Sequence, residues 1–138
     1  MNTINGACHC GNIYYQIETE KDLNDLVARA CGCSFCRMHG AKSFSDPEGK
    51  ARLGVKDVSK LERYRFGLRA LDFFVCTACG GYAGAVLADD DGTWVTLNLR
   101  LSEHRDAPDN AAHYDNQSGA ERTARRKKMW TPATIEGL

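Results

Sequence analysis

Seven cysteines fall into three short groups, and their spacing constrains this chain more than any other feature. Cys8-His9-Cys10-Gly11 lies near the start. Cys31-Gly32-Cys33-Ser34-Phe35-Cys36 follows, and Cys76-Thr77-Ala78-Cys79-Gly80 lies past the middle. Cysteine pairs at these spacings are metal-ligand signatures. Disulfides fit the pattern poorly. The count is odd, and C-x-C neighbours are badly oriented to bridge one another. Met1–Gly6 also shows no leader that would imply an oxidising compartment. Scattered core cysteines, which pack as small hydrophobes, would not cluster in this way.

Seven ligands divide into four and three. Cys8, Cys10, Cys76 and Cys79 form two pairs, each on a turn followed by glycine, and closing them on one Zn²⁺ gives a saturated, structural site. Cys31, Cys33 and Cys36 then hold a second Zn²⁺ with one position open, the mark of a reactive site. Three thiolates donate charge heavily, so such a centre generates hydroxide poorly. It is better suited to binding an incoming thiol and deprotonating it. The expected chemistry is reaction of a small thiol with an electrophilic carbon, or the reverse carbon–sulfur cleavage. His39, Arg37 and Tyr82 are near cysteines in sequence and are candidates to move a proton or hold a carboxylate. His9 is expected to point away from its flanking ligands, and is read as bland or as a support to the ligands rather than as one of them.

The rest of the chain reads as mainly β. Ile13, Tyr15 and Ile17 alternate with polar neighbours, which predicts a strand within 5–20. Lys21–Ala30 reads as a brief turn or helix leading, extended, into Cys31. Ala41–Gly54 reads as a loop around the Ser45-Asp46-Pro47-Glu48-Gly49 turn, with Phe44 as a core anchor. Strands are expected at 61–66 and 70–75. Tyr82–Ala88 and Thr93–Leu99 form a hairpin about Asp89-Asp90-Asp91-Gly92, whose acidic residues are turn chemistry rather than ligands. After Arg100 the composition turns polar. Ser118-Gly119-Ala120-Glu121 has the form of a capping box, so a helix starts there. It carries Arg122, Arg125, Arg126, Lys127 and Lys128, read as a solvated face, and Trp130 docks on the core.

The chain has 138 residues, 43% of them hydrophobic, and a formal net charge of +0. One domain, 1–138, is expected, with a core at about 4–100 and an extension at 101–138. The neutral balance argues against nucleic-acid and membrane-surface roles. No apolar run approaches the roughly 20 residues that span a bilayer, so the cytosol is the expected compartment.

The order C-x-C-G, C-x-C-S-x-C-R-x-x-G, C-x-x-C-G resembles the glutathione-dependent formaldehyde-activating enzyme family, which also includes centromere protein V. All seven cysteine positions match, over about residues 4–100. The resemblance implies an antiparallel, tent-like zinc-binding β fold with short helices. It implies two Zn²⁺ per chain, structural at Cys8, Cys10, Cys76 and Cys79 and catalytic at Cys31, Cys33 and Cys36. It also implies a carbon–sulfur lyase-type activity with glutathione as co-substrate, adding glutathione to formaldehyde to give S-hydroxymethylglutathione. A glutathione pocket needs cations for two carboxylates, and Arg29, Arg37, Lys42 and Arg69 are the candidates. The alternative is a non-catalytic zinc module for a protein or nucleic-acid partner, motivated by the basic segment Arg122–Lys128. A third reading makes Cys31, Cys33 and Cys36 a redox or metal-sensing group.

Overall fold

The computed structural model describes residues 1–114 and 116–138. The chain is mainly β, with two short α-helices. The strands are β1 (Asn2–Ala7), β2 (Ile13–Thr19), β3 (Ala28–Cys31), β4 (Ser43–Phe44), β5 (Lys50–Val55), β6 (Leu61–Tyr64), β7 (Asp72–Cys76), β8 (Tyr82–Asp89), β9 (Gly92–Asn98), β10 (Asp109–Ala112) and β11 (Thr131–Glu136). The helices are α1 (Ser34–His39) and α2 (Gly119–Met129). Among the described residues no helix is long and apolar enough to cross a membrane.

The strands hydrogen-bond in the order β1-β2-β5-β11-β9-β4-β3-β10, and β8, β7 and β6 continue from the other edge of β9. Named pairings are antiparallel except β10 with β3 and β11 with β5. β2 alternates as expected, burying Ile13, Tyr15 and Ile17. Its partner β1 places Ile4 opposite Ile17. The β8–β9 hairpin forms with Val86 opposite Val95.

The sequence reading missed five strands, one of them the two-residue β4 inside the stretch read as a loop. β1 is polar apart from Ile4. β5 lies inside the stretch read as a loop, where Gly49 and Gly54 obscure the burial of Ala51 and Leu53. β10 is exposed and polar, and parallel pairing to β3 holds it extended. β11 begins Thr131-Pro132, yet sits inside the sheet between β5 and β9. Proline is tolerated there because it stands near the start of the strand. The segment after Arg100 is therefore woven into the fold rather than appended to it.

β7 and β8 have both faces covered. Ile4, Tyr15, Leu53, Phe74, Val86, Val95 and Leu97 belong to the larger core cluster, with Phe44 anchored in it. Phe35, Phe73, Tyr82, Leu87 and Trp130 form a second cluster. Along β7, Phe73 joins the second cluster while Phe74 and Cys76 join the first. This is the period-two alternation of a strand buried on both faces. It also separates the cysteines: Cys8, Cys76 and Cys79 pack with the first cluster, and Cys31, Cys33 and Cys36 with the second.

Candidate functional site

Two cysteine groups assemble, divided four and three as the sequence indicated. The ligand atoms of Cys8, Cys10, Cys76 and Cys79 lie within 4.8 Å of one another, as do those of Cys31, Cys33 and Cys36.

The four-sulfur group is built from two matching turns. Gly11 donates to the Cys8 carbonyl at 2.8 Å, and Gly80 to the Cys76 carbonyl at 2.7 Å. Gly11 and Gly80 take φ of 82° and 81°, a left-handed conformation that a side chain would resist. Sulfur–sulfur distances are 3.8 Å for Cys8–Cys10 and 3.5 Å for Cys10–Cys76. A tetrahedron with metal–sulfur bonds of 2.3 Å has edges of about 3.8 Å, so the donors fit one ion of that class. The amide of Ile13 also donates to Cys8 Sγ at 3.3 Å. Burial pushes the Cys8 thiol up to about 11, so without a cation it holds its proton. The exposed His9 is outside both groups.

The three-sulfur group spans the end of β3 and the start of α1. Cys31 ends the strand, and Cys33 caps the helix, its sulfur accepting from the Cys36 amide at 3.4 Å. Gly40 ends the helix in the left-handed region at φ 59°. Hydrogen bonds from Cys33 and Cys36 hold the Cys31 thiol well below its ordinary value. Hydrogen bonding to Cys31 pushes the Cys36 thiol strongly up. Without a cation the group thus shares protons around one thiolate, and three deprotonated sulfurs at this separation require a cation between them. Both donor sets fit a soft divalent metal.

Cys31, Cys33 and Cys36 line a cavity of about 150 Å³. Phe73, Tyr82 and Trp130 supply apolar wall. Tyr82 is 3% exposed. Burial, then negative charge on Cys36, Cys33 and Cys31, raises its phenol well above the ordinary value, so it stays a neutral donor. The parallel β10–β3 pairing sets Ala112 opposite Cys31 and carries His113 and Tyr114 to the same cavity. His113 is a site residue the sequence reading left without a role. Only a long-range strand pairing brings it there, and no local spacing signals that.

Arg29 and Arg69 also line the cavity, as two of the expected cations. Arg29 donates to Ser45 Oγ and Thr96 Oγ1, both at 2.9 Å. Arg69 holds φ 55°, an uncommon backbone for a residue other than glycine. The other candidates lie elsewhere. Arg37 is exposed away from the cavity. Lys42 faces Asp109 at 3.7 Å and donates to the Ala107 carbonyl. His39 accepts from no ligand cysteine; its Nδ1 lies 2.9 Å from the Phe35 carbonyl, and its ring packs on Phe35.

The basic helix corrects the sequence reading. The capping box is present, with Ser118 and Glu121 bonded reciprocally. However, α2 does not present one solvated face. Arg122, Arg125 and Arg126 turn to the cavity. Lys127 pairs with Asp89 at 2.6 Å and Asp91 at 2.7 Å, while Lys128 is exposed. The acidic turn is therefore also a docking point for the helix.

No protein-family model matches the chain. Its structure is similar to the crystal structure of a Rhodobacter sphaeroides protein solved as a structural-genomics target. The TM-score is 0.57 and the identity 29%, over 77% of this chain and 99% of that one.

Proposed function

We propose that this protein is a zinc-dependent carbon–sulfur lyase-type enzyme acting on small thiol adducts. The observation that carries this reading is the placement of Cys31, Cys33 and Cys36 on the wall of a cavity, while the other four cysteines close on themselves. Zinc is the proposed metal in both groups, structural with four thiolates and reactive with three. When bound by Cys31, Cys33 and Cys36, it would supply a position where a substrate thiol loses its proton.

The chain's own residues then have definite tasks. The apolar wall of Phe73, Tyr82 and Trp130 limits water at the reacting sulfur. The Tyr82 phenol keeps its proton and can donate to an oxygen in the cavity. His113 is placed to pass a proton to or from solvent, being exposed on one side. In the addition direction, the thiol sulfur bonds to an aldehyde carbon, the carbonyl π electrons go to oxygen, and that oxygen takes up a proton equivalent to the one the thiol lost. Glutathione and formaldehyde are the pair that the resemblance of the cysteine pattern suggests. A nucleic-acid module is the weaker reading, because three arginines of the basic segment turn to the cavity.

The test is metal analysis of the purified protein, followed by cobalt substitution and titration with 2-mercaptoethanol. Two metals per chain, with a sulfur-to-cobalt absorption change equivalent to one of them, is the expected result. Two metals with no response would reject the open-site reading.

A further inference from the structure

Arg29 from β3 and Arg122, Arg125 and Arg126 from α2 line the same cavity as the three-sulfur group, as does Arg69. The three helix arginines are spaced i, i+3 and i+4, which puts them on one helix face. Among the described residues the cavity wall contains no Asp or Glu, and neither Arg29 nor any of the three helix arginines is ion-paired to a carboxylate. The hydrogen-bond and stacking partners of the three helix arginines, among the described residues, are neutral groups. Arg125 stacks on Tyr114, 3.4 Å from the ring centroid, and donates to Gln117 Oε1 at 2.6 Å. Arg122 donates to the Gln117 carbonyl. Arg126 lies over Trp130, and its Nε is buried with no hydrogen-bond partner among the described residues.

This arrangement is costly without an anion. Like charges on one helix face repel, and a buried charge is normally paired. Burial, then the charges of Arg125 and Arg122, pushes Arg126 down to about 10. A divalent metal on three thiolates would carry one net negative charge, which leaves most of the positive charge unmatched among the described residues. A planar carboxylate fits guanidinium forks well. The enclosed room is small, about 150 Å³ and of the order that holds benzene, so a thiol and a carboxylate that both lie inside it are within a few bonds of each other.

We propose that Arg29, Arg122, Arg125 and Arg126 bind the carboxylate of a compact substrate whose thiol lies within a few bonds of it. The thiol half of this proposal rests on the open-site reading above, and the carboxylate half does not. α2 is then the element that completes substrate recognition.

The experiment is a thiol series on the cobalt-substituted protein, read by the sulfur-to-cobalt band, with 3-mercaptopropionate, 2-mercaptoethanol, cysteamine and glutathione. A charge-assisted contact should make 3-mercaptopropionate bind at least about tenfold more tightly than 2-mercaptoethanol, with cysteamine weakest. In Arg126→Gln and Arg122→Gln, checked for unchanged metal content and melting, that ratio should fall towards one. Equal affinity for the three small thiols in the unaltered protein would overturn the carboxylate site while leaving the open site intact. Glutathione binding more tightly than 3-mercaptopropionate would overturn the compact-substrate claim. Calorimetry with propionate on the zinc-loaded protein tests the anion site without any thiol. Binding that weakens in Arg126→Gln supports the site even if no thiol shifts the cobalt band, and no binding of propionate or 3-mercaptopropionate rejects it.

Discussion

Gly32 and His113 occupy nearly the same space: a β-carbon on Gly32 would lie 2.2 Å from His113 Nδ1. The contact is held from both sides, since the Gly32 amide donates to the Ala112 carbonyl at 2.9 Å. A glycine between two ligand cysteines thus seats the strand that brings His113 and Tyr114 to the cavity.

Gly32→Ala should therefore displace β10 and its following residues and disturb Cys31 and Cys33 together. The expected outcome is metal content falling from two ions per chain towards one, with the thiol response lost. Metal analysis beside a thermal melt checks it. Retention of both metals and an unchanged response would show that the ring moves aside freely.

The two cysteine groups should fail differently. Cys76 is fully buried and sits where β7 meets the first core cluster. Cys76→Ser should unfold the chain or cost several kcal/mol, since structural metal binding is folding free energy. Cys33→Ser should leave a folded protein short of one metal. Circular dichroism and metal analysis on both variants decide this, and equal collapse would refute the division into four and three.

Asp46 links three segments. Its carboxylate accepts from Thr19 Oγ1 at 2.6 Å, and its amide donates to Thr131 Oγ1 at 2.7 Å. All three residues are buried. Thr131→Val leaves that amide without its acceptor, at a cost of about 1–3 kcal/mol. The expected reading is a lower denaturant midpoint with an unchanged slope.

Lys127 ties α2 to the β8–β9 turn through Asp89 and Asp91. Hydrogen bonding to Lys127 holds the Asp89 carboxyl below its ordinary value. A depressed folded value means the tie is complete above the ordinary carboxylate pKa of about 4, and is lost as pH falls through the lower folded value. Hydrogen exchange along α2 should therefore speed up at low pH in the unaltered protein. In Lys127→Met it should already be fast at neutral pH, and also less sensitive to salt.

Much of this protein is legible in its local spacing. The seven cysteines state their own grouping, because ligands two or three residues apart share one turn and need one ion. The capping box at Ser118 and the hairpin about Asp89–Gly92 are equally local, being set by hydrogen bonds and turn preferences a few residues long. β2 and β8 declare themselves because the faces they bury are apolar. Only the tertiary structure decided the rest. β10 is extended because β3 lies beside it, not because Asp109–Ala112 favours a strand. β11 lies inside the sheet although it opens on proline. The turning of Arg122, Arg125 and Arg126 to the cavity depends on where α2 is docked, through Trp130 on one core cluster and Lys127 on a distant turn. A charge pattern along a helix gives the side on which arginines lie. Whether that side meets water or a substrate is set by long-range packing, which no window of sequence contains.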